Sequence, residues 1–273
     1  MNTLEILWFV LIGVLWAGFF FLEGFDFGIG MQFIFNARDE NDRDALYEAI
    51  GPNWDANEVW LITAGGAMFA AFPNWYASLF SGFYLMLLIV LLALIYRGVS
   101  FEFREQMPTI QGTHLWERLI GITSVMVPFF LGMIFTAMVS GTPIDARGNL
   151  TAGFFDYVTP FTLVGGIAVA LMSYVHGLNY TRLRIIGPLR DRAVTQLKFL
   201  YPVLLAGEAL FAVLLFFYTD FIQTKPVWTL AILALIVVTT LMSWYTALKT
   251  KSEAWPFALS GLALVEVVVL LFV

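Results

Sequence analysis

Uncharged apolar runs of about twenty residues, separated by short charged stretches, repeat along the whole chain. At 1.5 Å of rise per residue such a run crosses the hydrocarbon core of a bilayer. Eight runs qualify: Ile6 to about Phe35, about Asn53 to Pro73, about Trp75 to Tyr96, Leu119 to about Val139, about Tyr157 to Val175, Phe199 to Thr219, Val227 to about Leu248, and Ala254 to Val273. The second and third share one charge-free stretch, Val59 to Tyr96, which is too long for one span. Phe72-Pro73-Asn74-Trp75 supplies the break, because the residue before proline leaves the helical region and Asn favours turns. The pattern predicts an all-α polytopic membrane protein of about eight transmembrane helices in bundles, a single transmembrane domain over 1–273 with no loop long enough for another domain.

The fourteen Lys and Arg residues orient this bundle. With the N-terminus outside, the inner loops carry Arg38, Arg43, Arg97, Arg104, Arg118, Arg182, Arg184, Arg190, Arg192, Lys198, Lys249 and Lys251, and the outer loops only Arg147 and Lys225. Twelve against two is the bias expected of cytoplasmic loops, so both termini are predicted outside. His114 reads as a loop residue, and His176, at the inner end of the fifth span, as a surface or interface histidine.

Composition agrees. The chain is 60% hydrophobic and 12% charged, with a mean hydropathy of +0.83, where a soluble domain is about a quarter charged. Met1 to Leu22 contains no Lys or Arg, so the first run reads as a retained anchor and not a signal peptide. Nothing points to nucleic-acid binding. The absence of Cys excludes disulfides, thiolate metal sites, iron–sulfur clusters and thioether-linked haem. No metal or haem ligand set is legible.

Six acids fall inside the spans. Glu23 and Asp26 lie about 25 to 30 Å along the first helix by the same rise; Asp55 and Glu58 open the second. Each pair is spaced i, i+3, on one helix face, and all four fall in the inner leaflet, flanked by Trp54 and Trp60, with Arg97 the nearest counter-charge. One reading makes Asp55 and Glu58 N-terminal acids favoured by the helix dipole, with Glu23 and Asp26 reaching the headgroups. The other makes the four a proton or ion path, because carboxylates within a membrane are costly and mark such paths. Gly24 and Gly28 form a GxxxG step, expected at a close helix contact. Glu208 and Glu266, deep in the sixth and eighth spans, are either exchange sites or neutral hydrogen-bonding acids.

"LEGFDFGIG" in the first helix, "IGPNWDANEVWLITAGGAMFAAFPNWYASLFSGFY" over 50–84 and "RGVSFEFR" over 97–104 resemble, in order and spacing, subunit II of the cytochrome bd quinol oxidases. The resemblance is strong over roughly the first 104 residues; beyond them only the rhythm of helices matches. It implies a heterodimer in a bacterial cytoplasmic membrane with a haem-bearing subunit I, which holds the b-type and d-type haems. That complex oxidises quinol and reduces dioxygen to water, taking protons from the cytoplasm. This chain would bind no haem itself, contact lipid and the partner, and contribute to proton uptake; a quinone and a small single-helix subunit are further candidate partners. The Asp of the family's "WD" motif corresponds to Asp55, the first choice for a proton carrier. Family members usually carry a further helix and a polar tail, so the ending "VVVLLFV" reads as a truncation or as loss of the ninth helix. Outside the resemblance, the alternative is an ion- or proton-coupled transporter working through Glu208 and Glu266, although no inverted repeat supports it.

Overall fold

Backbone groups in lipid must find their partners within the segment, which restricts a single-chain bundle to helices. The computed structural model describes residues 2–146, 148 and 150–272, and every regular element among them is helical. In chain order these are α1 (Thr3–Phe35), α2 (Glu40–Ile50), α3 (Trp54–Ala71), α4 (Pro73–Gly82), α5 (Tyr84–Gln106), α6 (Ile110–Val139), α7 (Pro160–Arg184), α8 (Pro188–Tyr218), α9 (Phe221–Thr224), α10 (Pro226–Lys249) and α11 (Ala254–Phe272). Arg147, counted among the outer charges, and Val273, the end of the last predicted span, lie outside the described residues.

Among the described residues seven helices are long and apolar enough to cross a membrane: α1, α5, α6, α7, α8, α10 and α11. The second predicted span is α3, whose 18 residues include Asp55, Asn57 and Glu58 near the start and so fall short of the apolarity of the others. It packs along α1. The break at Phe72 lies where the proline places it, with φ −136° and ψ 66°. The third predicted span differs from Trp75 to Tyr96. Phe83 interrupts it, so α4 ends at Gly82, and α5 starts at Tyr84 and continues to Gln106. Arg97 consequently sits well inside a helix and not at its inner end.

Helix α1 is apolar on every side, the composition of a helix surrounded by others. Its first half is largely exposed, whereas every residue from Glu23 to Phe33 is buried, against α3, α6, α7 and α11. Gly28 sets the approach of α7: a Cβ there would lie 2.0 Å from the Ser173 carbonyl oxygen and 2.7 Å from Gly177 Cα. Two backbones in contact admit no side chain at either glycine. The connection from Asn36 to Pro52 folds as the amphipathic α2, capped by Asp39 and seated through Leu46, Ala49 and Ile50.

Candidate functional site: a buried carboxyl–guanidinium cluster

Burial of α1 from Glu23 to Phe33 carries Glu23 and Asp26 into the interior, where both are 0% exposed. From α5, Arg97, likewise 0% exposed, brings Nη1 to 2.5 Å from Glu23 Oε1 and 3.6 Å from Glu58 Oε2. Its guanidinium lies over the rings of Phe27 at 4.9 Å and Phe101 at 5.3 Å, so aromatic faces as well as carboxylates hold the cation. Asn57 Nδ2 donates to Asp26 Oδ2 at 2.7 Å. Three carboxyls therefore share one permanent cation.

Five buried atoms of this cluster, Glu23 Oε2, Asp26 Oδ1, Glu58 Oε2, Arg97 Nε and Arg97 Nη2, have no hydrogen-bond partner among the described residues. Buried polar groups of native proteins are satisfied by protein or by ordered water. The cluster thus has hydrogen-bonding capacity for water, which is what proton transfer between carboxyls needs.

Asp55 is placed differently from its three companions. It is exposed, while the stripe of α3 turned inward runs through Asn57, Ala64 and Met68. At 100° per residue, Asn57 is 200° from Asp55, on the opposite side of the helix. Glu58, only 60° from Asp55, lies between the two faces and reaches Arg97. Asp55 is therefore a surface acid one turn from a buried one.

The aromatic residues flanking the acids are packing groups. Trp54 stacks on Phe101 with ring centroids 4.9 Å apart, and Trp60 fills the space above Gly18, where a Cβ would lie 2.4 Å from its ring. Gly24 faces α11, 3.0 Å from Leu264 Cδ1 by the same measure. Sequence reasoning missed Asn57, Phe27 and Phe101. Asn57 carried no signal that set it apart from its polar neighbours Asp55 and Glu58, and the two phenylalanines had none among 27.

Both histidines differ from their expected settings. His176 is fully buried, with Nδ1 2.8 Å from Ser260 Oγ and Nε2 3.0 Å from the Phe21 carbonyl, and it stacks on Phe257 at 4.6 Å. His114 lies within α6 and pairs with Glu40 at 2.7 Å. His176 uses both ring nitrogens within the helix packing, and no group of three or more His, Cys, Asp or Glu able to hold a metal occurs among the described residues.

Comparison with known proteins places this geometry. The sequence pattern of cytochrome bd terminal oxidase subunit II matches residues 4–273. The chain belongs to that family. It is 41% identical over all 273 residues, and over 80% of the relative's length, to cytochrome bd ubiquinol oxidase subunit 2 of Bacillus subtilis. It is 38% identical over 71% of its length to cytochrome bd-I ubiquinol oxidase subunit 2 of Escherichia coli, of which it spans 53%. A bd oxidase chain of Geobacillus thermodenitrificans shares the fold, with a TM-score of 0.81 over 99% of this chain and 83% of that one, at 12% identity. The chain is thus a multi-pass membrane subunit of a respiratory terminal oxidase, an oxidoreductase complex.

Proposed function

We propose that this chain is the haem-free partner of a haem-bearing subunit I in a quinol:dioxygen oxidoreductase, and that it carries protons from the cytoplasm toward the site of oxygen reduction. The observation that supports the proton role is the cluster itself: Glu23, Asp26 and Glu58 around Arg97, with five buried polar atoms left open to water. Electrons from quinol would pass through haems held by the partner. Engagement of both His176 nitrogens within the helix packing supports that division of labour.

Along this route Asp55 collects a proton at the inner surface. Glu58, three residues on, receives it, and water joins Glu58 to Glu23 and Asp26. Arg97 keeps at least one carboxyl ionised, since the cation is permanent, while carboxyls this close hold their protons unequally. A chain of acids with graded affinity passes a proton onward. The inner placement of these groups rests on the twelve-to-two charge bias.

The test is quinol-driven oxygen uptake by the intact complex. Asp55→Asn and Glu58→Gln complexes with normal haem content should be slowed, Glu58→Gln the more, because it lies between the surface and the buried pair. Wild-type rates from both variants across pH 6 to 8 would leave the acids as structural residues. Purification of the chain without its partner provides the second arm, where stoichiometric haem would overturn the haem-free assignment.

A further inference from the structure

Two carboxyls lie outside the Arg97 cluster and play no part in the route above. Glu208 on α8 and Glu266 on α11 flank α10, which offers each of them one of two adjacent threonines. Thr240 Oγ1 donates to Glu208 Oε1 at 2.7 Å, and Thr239 Oγ1 donates to Glu266 Oε1 at 2.9 Å. The other oxygen of each acid, Oε2, is buried without a hydrogen-bond partner, and Glu266 is only 5% exposed. Neither acid belongs to an ion pair among the described residues.

Depth makes this arrangement demanding. Glu208 is about 15 Å from the outer end of α8, and Glu266 about 18 Å from the start of α11, by the rise of a helix. Both acids are thus near the middle of the bilayer. A cavity of about 110 Å³ borders Glu208, walled by Phe20, Val169, Leu204, Leu264 and Val268 among others. Glu208 is the sole charged residue on that wall; α1, α6, α7, α10 and α11 present no titratable side chain to it. Ala209 and Val237, on the rim contributed by α8 and α10, are exposed, so the cavity opens to the outside of the chain between those helices.

The cavity wall is apolar apart from Glu208 and Thr136 and offers no counter-ion, so an ionised carboxylate there is strongly disfavoured. The threonine hydroxyls occupy one oxygen of each acid and leave the other to carry hydrogen. We propose that Glu208, with Glu266 held across α10 from it, forms a second proton-binding site at mid-membrane depth, opening through the cavity at Glu208 to the lipid phase between α8 and α10 and distinct from the cluster around Arg97. Its ligand is the proton, held on Glu208 where that acid borders the cavity. The two sites differ in kind. One contains a permanent guanidinium and is reached from water; the other has no cation and is reached from lipid.

Labelling with a hydrophobic carbodiimide, on native membranes containing the full chain, tests this. The carboxyl proton moves to one carbodiimide nitrogen as the carboxyl oxygen adds to the central carbon; the acyl group then migrates to nitrogen, leaving an N-acylurea with no further reactant needed. Peptide mass spectrometry should find the adduct at Glu208, and a water-soluble carbodiimide should leave that residue unmodified. The infrared spectrum should contain protonated-carboxyl absorption that shifts in deuterated water and is reduced in Glu208→Gln. No adduct at Glu208 after exhaustive treatment, or equal labelling by both reagents, would overturn the proposal. Because labelling is read on the wild-type chain, poor assembly of the variant does not remove the test.

Discussion

Arg97 Nη1 and Glu23 Oε1 are 2.5 Å apart with both side chains sealed from solvent. Such a pair contributes little net stability by itself, because desolvation offsets the attraction, yet removing one partner strands a buried charge. The two halves are not equivalent. Without Arg97, three carboxyls remain with no cation; without Glu23, Arg97 still has Glu58 and two aromatic faces. Arg97→Leu should therefore lower the stability of the subunit by about 3 to 5 kcal/mol, the range for breaking a buried pair, and Glu23→Gln by clearly less. Thermal unfolding of the purified complexes measures both, and equal losses would contradict this account.

Gly28 and Gly66 offer a paired comparison, since both are helical glycines in the membrane. A Cβ at Gly28 would meet the Ser173 carbonyl oxygen at 2.0 Å, whereas one at Gly66 meets nothing within 4 Å. Backbone cannot move aside as a flexible side chain can, so Gly28→Ala should cost about 1 to 3 kcal/mol as overpacking does. Gly66→Ala should be neutral or slightly stabilising within the chain, because alanine is the better helix former. Expression level and melting temperature of the two variants decide the matter.

Much of this was legible in the sequence, for reasons that particular residues show. Apolar runs and the Phe72-Pro73 break reveal themselves because bilayer thickness and proline geometry are local constraints. The grouping of Glu23, Asp26, Asp55 and Glu58 at one depth near Arg97 was legible too, since helix rise fixes depth, but Asp55 is exposed and stands apart from the other three. Rotation about each helix axis was not. Nothing in "NWDANE" says that Asn57 and not Asp55 turns toward α1; that depends on which face of α3 the neighbouring helix covers. The start of α5 was equally hidden, because Phe83 interrupts a stretch whose composition does not change there. His176 could not be read as buried before Ser260 and Phe257 of α11 were brought beside it.

At the arginine-rich end of the bundle, where α7 passes into α8, α2 is tied to α8 by Arg192, whose guanidinium donates to Asp42 Oδ2, and Asp42 also accepts from the Arg38 backbone N–H at 2.8 Å. Burial pushes the Asp42 carboxyl up, but the hydrogen bonds from Arg192 and Arg38 outweigh it and hold the group below its ordinary value. A lowered folded-state value means that this contribution to stability is present above the unfolded value of about 3.9 and is lost as pH falls through the folded one. Asp42→Asn should therefore melt below the wild type at neutral pH, with the gap closing in acid below that window. A gap that persists unchanged in acid would assign the effect to packing instead.

The orientation of the chain can be read from two exposed positions. Ile186, 89% exposed, lies between α7 and α8 beside Arg182, Arg184, Arg190 and Arg192, and Phe155, 84% exposed, lies in the short helical turn before α7. They sit at opposite ends of α7, so one membrane crossing separates them. The arginine-rich end should face the cytoplasm. Because the chain has no Cys, Ile186→Cys and Phe155→Cys each introduce a single thiol. A membrane-impermeant thiol reagent applied to intact cells should label Phe155→Cys and leave Ile186→Cys untouched until the membrane is opened. The reverse pattern would invert the bundle, moving Asp55 and the Arg97 cluster to the outer leaflet. A route for cytoplasmic protons through those acids would then be impossible, whatever their effect on oxygen uptake.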